Sequence, residues 1–215
     1  MKLLELMSGT GSVGRAFKAA GWEVVSLDFD PKSGADIIAD VCTWEPDAGA
    51  YYDAIWCSPP CTEFSRALTT RNRDLEAGLV IANRCLDLIA QLKPAVWYME
   101  NPGTGYLPKQ PRYAELPCKY VTYCTYGFKY KRKTWIATNA IWDPRPCCCK
   151  ATPCIFLENG HHPECAQRGP TRCKGGLRGS HCSQRELYSM PPQLCEEIAA
   201  AAIQPISLCR DCKVR

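Results

Sequence analysis

Long apolar runs are missing from this chain. No stretch approaches the roughly 18–20 residues that a membrane-spanning helix requires, so a membrane protein is not expected. The opening MKLLELMSGTG turns to polar and glycine residues too early for the apolar core of a secretory signal, so secretion is not expected either. Histidine is scarce: there are three, all between 161 and 181. Neither sign of charge dominates, with 26 Lys and Arg against 22 Asp and Glu. At 46% hydrophobic and 22% charged residues the composition is that of a soluble globule, not of a disordered chain. Internal repeats are absent, and 215 residues suit one domain with a small appendage.

Cysteine is abundant, and its placement is uneven. Six of sixteen lie before residue 147 and ten from there onward, in the segment that also holds every histidine. Without a secretion signal, metal ligation explains such clustering better than disulfides do. The early cysteines sit among apolar residues and read mostly as small buried hydrophobes. Charge is uneven too. Residues 1–108 carry a net −5, residues 109–185 a net +10 and residues 186–215 a net −1. A basic block of that density attracts a polyanion or forms a solvated face.

Along the chain, residues 2–7 read as a buried strand running into the turn Ser8-Gly9-Thr10-Gly11-Ser12. Residues 13–20 follow as a helix, 22–28 and 35–41 as strands, and 52–56 as a strand stopped by Ser58-Pro59-Pro60. Residues 74–92 space their apolar positions three and four apart, an amphipathic helix, and the strand AVWYME ends at Asn101-Pro102. Strands alternating with helices predict an α/β fold with a doubly wound, mostly parallel sheet. Residues 119–126 and 133–138 are two further expected strands, and 191–203 a last helix. Between 144 and 183 periodicity fades, and a bound metal is a sensible substitute for a core. The expected division is 1–143 for the main domain, 144–185 for a Cys/His-rich insert and 186–215 for a returning helix and tail.

Gly9-x-Gly11-x-x-Gly14 between a strand and a helix is a ligand-cradling turn that suits several adenosine cofactors. Glu5 stands on the strand where dinucleotide folds usually have an apolar residue. Asp28 ends the second strand, where a carboxylate meets ribose hydroxyls, and Asp40 follows the third, near an adenine amino group. This order resembles the S-adenosylmethionine pocket of class I methyltransferases. Further on, Cys61 is held rigidly by Pro59-Pro60 beyond one strand, and Glu100-Asn101 ends the next. A thiol and a carboxyl facing one substrate are what C5 methylation of cytosine needs. C5 is a poor nucleophile until a group adds at C6, and that addition needs a proton or strong hydrogen bond at N3.

In motif order over most of residues 3–139, the sequence resembles the DNA (cytosine-5) methyltransferase family. Met7–Gly14 looks like its glycine loop, Pro60-Cys61 with Phe64-Ser65 like its nucleophile motif, and Glu100-Asn101 like its Glu-Asn motif. Arg132, after Tyr126-Gly127-Phe128, looks like the first arginine of its Gln-x-Arg-x-Arg motif, and residues 191–202 like its closing helix. The chain departs from the pattern at Tyr130, Thr134 and Pro102, where the family has glutamine, a second arginine and valine. Residues 144–183 also stand where the family carries a large target-recognition domain.

The resemblance implies a class I methyltransferase fold and methyl transfer from S-adenosylmethionine to cytosine C5 in DNA. It implies Cys61 as nucleophile, Glu100 as acid at N3 and Arg132 as orienter of the base. Met7, Ser8, Gly9, Gly11, Asp28, Phe29, Asp40, Val41 and Pro59 would line the cofactor. A double-stranded target must present its base flipped out. RNA is a possible alternative polymer. Cys149, Cys154, His162 and Cys165 are the expected ligand set of one structural zinc. Ser65, Arg66, Lys131, Lys133, Arg168, Arg172 and Lys174 are the expected nucleic-acid contacts, several of them phosphate contacts that give affinity without base choice. Two other classes compete. Ser58-Pro59-Pro60 is similar to the Ser-Pro-Pro-aromatic motif of exocyclic-amino methyltransferases, but Cys61 replaces the aromatic residue. A catalytically degenerate zinc module that binds nucleic acid is the other. A monomer in the cytoplasm of a prokaryotic or virus-infected host cell, without membrane contact, completes the expectation.

Overall fold

The structure is a computed structural model, and it describes residues 1–146, 157, 162, 164, 166 and 184–203. A seven-stranded sheet forms its centre: β1 (Lys2–Leu6), β2 (Glu23–Asp28), β3 (Ile37–Ile38), β4 (Ala54–Cys57), β5 (Val96–Pro102), β6 (Cys118–Thr122) and β7 (Lys133–Thr138). Their order across the sheet is β3-β2-β1-β4-β5-β7-β6. Every neighbouring pair from β3 to β5 is parallel, and β7 runs antiparallel to both β5 and β6. The mostly parallel sheet is therefore as the sequence pattern predicts.

Side-chain alternation sorts the core into two layers. Leu3, Ala54, Trp56, Val96 and Tyr98 face one side, packed with α1 (Ser12–Ala19) and α5 (Pro192–Ala201). Leu4, Leu6, Ile55, Cys57 and Met99 face the other, packed with α2 (Leu75–Leu92). The Asp74 side chain caps α2 by accepting from the Ala77 N–H at 2.9 Å. Lys93, with φ 48°, ends that helix in the left-handed region, and Pro94 forbids its continuation.

Several boundaries differ from the sequence reading. β3 keeps two of the seven expected residues. The Asp36 carboxylate is captured by the Ser26 N–H and hydroxyl at 2.8 and 2.6 Å. The Asp40 carbonyl turns the chain by accepting from the N–H groups of Thr43 and Trp44. No helix joins β2 to β3 or β3 to β4. The expected strand over 119–126 stops at Thr122, because Tyr123–Tyr126 winds into a 3₁₀ turn closed by Gly127. Two short helices went unexpected, α3 (Pro111–Ala114) and α4 (Gln184–Tyr188). Among the described residues no helix is long and apolar enough to cross a membrane.

Where the described chain breaks off at 146, it is pinned to α5. Arg145 Nε pairs with Glu197 Oε2 at 3.1 Å, and its Nη1 donates to Gln193 Oε1 at 3.0 Å. Glu197 Oε1 also accepts from the Tyr126 hydroxyl and Trp142 Nε1, each at 2.9 Å.

Candidate active site

The expected site residues line the carboxyl edge of the sheet, where open α/β folds bind ligands. At the β1 end, the turn at residues 7–11 carries Met7, Gly9 and Gly11 in the left-handed region, with φ of 52°, 52° and 64°. Asp28 ties this turn to β2. Its Oδ2 accepts from the Gly9 N–H at 2.8 Å and its Oδ1 from the Asp30 N–H at 2.9 Å. Each oxygen keeps a second lone pair for a hydroxyl. Phe29 follows, 72% exposed, and offers an aromatic face at the same strand end. Asp40 is exposed beyond β3, with Oδ1 accepting from the Cys42 N–H at 2.9 Å, while Val41, the next residue, and Pro59, after β4, are buried. Carboxylates at two strand ends, Asp28 buried and Asp40 exposed, and an aromatic face suit an adenosine with a vicinal diol, so these residues fit S-adenosylmethionine.

Beneath the turn lies Glu5, 2% exposed. Burial pushes its carboxyl up to about 7, although the Gly14 N–H favours the ionised form. A Cβ on Gly14 would come within 2.3 Å of Glu5 Oε2. The third glycine of the motif thus makes room for this acid.

The second group gathers at the ends of β4, β5 and β7. Trp56 Nε1 donates to Ser58 Oγ at 2.7 Å, fixing the start of the proline turn. The Cys61 carbonyl accepts from the N–H groups of Phe64 at 3.0 Å and Ser65 at 2.7 Å, which folds the loop sharply after the thiol. Phe64 is fully buried against α2 at Gly78 and anchors that loop. Asn101, also fully buried, donates from Nδ2 to the Pro59 carbonyl at 3.0 Å, so the Glu-Asn strand end is stitched to the Pro-Pro-Cys turn. Pro102 pairs in register with Thr134 on β7.

Glu100 is 8% exposed, and its Oε1 is buried without a hydrogen-bond partner among the described residues. Arg132 Nη2 stands 3.9 Å from that oxygen, beyond hydrogen-bond reach. Burial raises the Glu100 carboxyl above the usual range, and the Arg132 charge opposes that only in part. Arg132 donates to the Leu187 carbonyl of α4, lies 5.2 Å over the Tyr123 ring and interacts electrostatically with Cys61 and Glu100. Thiol, acid and guanidinium therefore converge. The departures at Tyr130 and Thr134 are buried: the Tyr130 hydroxyl reaches the Glu186 carbonyl at 3.4 Å, and Thr134 lies inside β7.

Sequence reasoning missed the segment 187–190. It joins the two groups, since the Leu187 carbonyl holds Arg132 and the Met190 N–H donates to Ser12 Oγ at 3.3 Å. Tyr123 and the Asn101–Pro59 bond were missed as well. An asparagine after the acid was the one available signal.

Of the expected nucleic-acid contacts, Ser65 is half-buried in the Cys61 turn, and Arg66, Lys131 and Lys133 are exposed. Arg168, Arg172 and Lys174 lie outside the described residues, as do Cys149, Cys154 and Cys165 of the expected zinc set. His162 is half-buried, and burial and Lys131 lower its pKa. Among the described residues no group of three or more His, Cys, Asp or Glu is arranged to hold a metal ion.

Similarity to known proteins agrees with this geometry. The chain is 29% identical over 220 residues to the "Probable DNA (cytosine-5)-methyltransferase" of Frog virus 3 (isolate Goorha), covering 92% of this chain and 98% of that relative. A protein assigned as a DNA modification methyltransferase, encoded within an E. coli prophage, superposes with a TM-score of 0.50 at 17% identity, over 64% of this chain and 46% of its own. The Dnmt2 methyltransferase of S. pombe gives a TM-score of 0.46 at 15% identity, over 64% and 50%. The chain spans about half the length of these two solved structures. No family model matches it. The resemblance to DNA (cytosine-5) methyltransferases read from the motifs thus extends over nearly the whole of both chains for the viral relative, and the fold is that of methyltransferases.

Proposed function

We propose that this chain transfers a methyl group to C5 of cytosine in a nucleic acid, DNA before RNA, through a covalent adduct on Cys61. The observation that carries the reading is Glu100: a desolvated carboxyl with one oxygen that has no hydrogen-bond partner among the described residues, on the strand next to the one that presents the Cys61 turn. Burial raises such a carboxyl above the usual range and so favours its protonated form, which can donate to a basic atom. The name of the viral relative supports DNA as the polymer.

The residues divide the work as follows. Cys61 Sγ adds to C6 of the pyrimidine, forming a carbon–sulfur bond, while the Glu100 carboxyl gives its proton to N3. The C5–C6 double bond opens and C5 becomes nucleophilic. Arg132, fixed by the Leu187 carbonyl and the Tyr123 ring, holds the base and favours the thiolate. S-adenosylmethionine, bound by residues 7–11, Asp28, Phe29, Asp40, Val41 and Pro59, supplies an electrophilic methyl group. Loss of the C5 proton then lets the Cys61 sulfur leave with restoration of the double bond and return of the N3 proton to Glu100. In a duplex the cytosine must leave the stack to reach these groups.

The domain division at 143/144 and 185/186 and one structural zinc on Cys149, Cys154, His162 and Cys165 belong to the same proposal. They rest on composition, and metal analysis of the purified chain tests the zinc: about one bound zinc per chain is expected. The central test uses labelled S-adenosylmethionine and oligonucleotides bearing 5-fluorocytosine, as DNA and as RNA. A denaturation-resistant adduct on DNA, absent in Cys61→Ser, is expected. Label transfer without the adduct would instead show exocyclic-amino methylation, and an adduct on RNA alone would change the substrate.

A further inference from the structure

Two cations-on-tyrosine posts flank the turn that follows Glu100, and neither belongs to the chemistry above. On one side, the Arg73 guanidinium lies 4.2 Å over the Tyr106 ring and Lys109 Nζ 5.5 Å from the same ring. On the other, Lys133 Nζ lies 4.3 Å over the ring of Tyr120, which is 47% exposed on the edge strand β6. The turn between them is built to close approach. A Cβ on Gly103 would meet Lys133 and Tyr120 at 3.1 and 3.2 Å, so the turn leans on the second post. The Tyr106 N–H donates to the Phe64 carbonyl at 2.9 Å, so the first post hangs from the Cys61 loop.

The charges of these posts are left open. Arg71, Arg84, Arg112 and Arg145 each close an ion pair with a carboxylate, whereas Arg73, Lys109 and Lys133 close none among the described residues. Glu63, the acid whose charge Arg73 feels, is committed to Arg71 and to the Asp74 N–H at 2.7 Å. Arg73 Nη1 is buried with no hydrogen-bond partner among the described residues. A cation held over an aromatic face is fixed in place by the ring, and of the Arg73 donors only Nη2 is spent within the protein, on the Leu68 carbonyl at 3.5 Å, among the described residues. Orientated cations without a carboxylate partner, beside the strand end that carries Glu100, match the non-bridging oxygens of a phosphodiester.

We infer that the two posts, Arg73 and Lys109 on Tyr106 and Lys133 on Tyr120, grip the sugar-phosphate backbone on either side of the target nucleotide. The inference rests on the proposed nucleic-acid substrate and goes beyond it, because it assigns affinity to the Glu100 rim of the catalytic unit itself.

The test is the salt dependence of binding by the full chain to fluorescent oligonucleotides, as duplex DNA, single-stranded DNA and RNA. Each phosphate contact contributes a slope of about 0.9 in log K against log salt on a duplex and about 0.7 on a single strand. The double variant Lys109→Ala/Lys133→Ala is expected to lose about 1.8 from the duplex slope, and roughly five- to tenfold in affinity per contact near 0.1 M salt. Lys18→Ala, on α1, keeps the wild-type slope. Tyr120→Phe retains binding and Tyr120→Leu loosens it, at unchanged melting temperature. A wild-type slope in the double variant, or an equal loss in Lys18→Ala, overturns the assignment. Adduct formation on Cys61 is scored separately: adduct without the slope change removes the posts alone, and slope change without adduct removes the chemistry alone.

Discussion

The two halves of the carboxyl edge treat their polar groups in opposite ways. At the ends of β1 to β3, Asp28 and Asp40 each accept backbone N–H bonds, and Phe29 and Asp40 face outward. At the ends of β4, β5 and β7, Glu100 is buried without a hydrogen bond on Oε1, and its cation stops at 3.9 Å. Recognition of a polar cofactor needs acceptors already orientated by backbone donors. Proton transfer to a weakly basic ring nitrogen needs a carboxyl whose ionised form has been made unfavourable. One sheet edge supplies both, because Asn101 draws the acid's strand into the core while the loop after β2 stays at the surface.

Breaking the buried half should have the largest effect. Cys61→Ser is expected to lower turnover by more than about a thousandfold and to abolish the trapped adduct, read by gel after denaturation. Glu100→Gln should cost roughly a hundred- to ten-thousandfold in turnover. Its pH profile sharpens the contrast. The raised carboxyl is an acid only below its own pKa, so wild-type activity declines as pH climbs through that value, and the Gln variant should lack this limb.

In the β1–β3 half, Glu5 is a second buried acid beside Asp28, under the glycine turn. Its value of about 7 lies above the ordinary 4.5, so ionisation is disfavoured in the folded state. This group therefore costs nothing below about pH 4.5, and its cost grows up to pH 7 and then levels off. Glu5→Gln is expected to raise stability by about 3 kcal/mol at pH 8 and to change little at pH 4, measured by urea unfolding. An equal gain at both values would contradict the burial argument. The smallest effect should come from Asp28→Asn, a rise of roughly ten- to a hundredfold in the dissociation constant for S-adenosylmethionine with turnover at saturation largely kept, measured by calorimetry and initial rates.

Cys61, Glu100 and Asp28 were legible in the sequence because strand ends are marked locally, by Pro59-Pro60, by Asn101-Pro102 and by the change from apolar to acidic residues after Leu27. The parallel order was legible from the alternation of elements up to β5. What failed depended on distant partners. β3 shrank because Ser26 holds Asp36 across a loop, and the pairing of β6 with β7 ends where the Tyr123 N–H donates to the Arg132 carbonyl. The role of Leu187 was invisible, since a backbone carbonyl carries no residue signature. Glu5 was noticed as out of place but not explained, because its reason is a gap in another element, at Gly14.

The clasp around Glu197 has a counterpart at the far end of the insert. Arg145 is moored to α5 at one margin, and the Leu187 and Glu186 carbonyls are moored to Arg132 and Tyr130 at the other. Both moorings thus belong to the body built around the sheet, and Glu164, between them in sequence, also reaches it by donating its N–H to the Lys129 carbonyl at 3.4 Å. Exchange of the stretch between them should leave both moorings intact, since each is made by residues outside it.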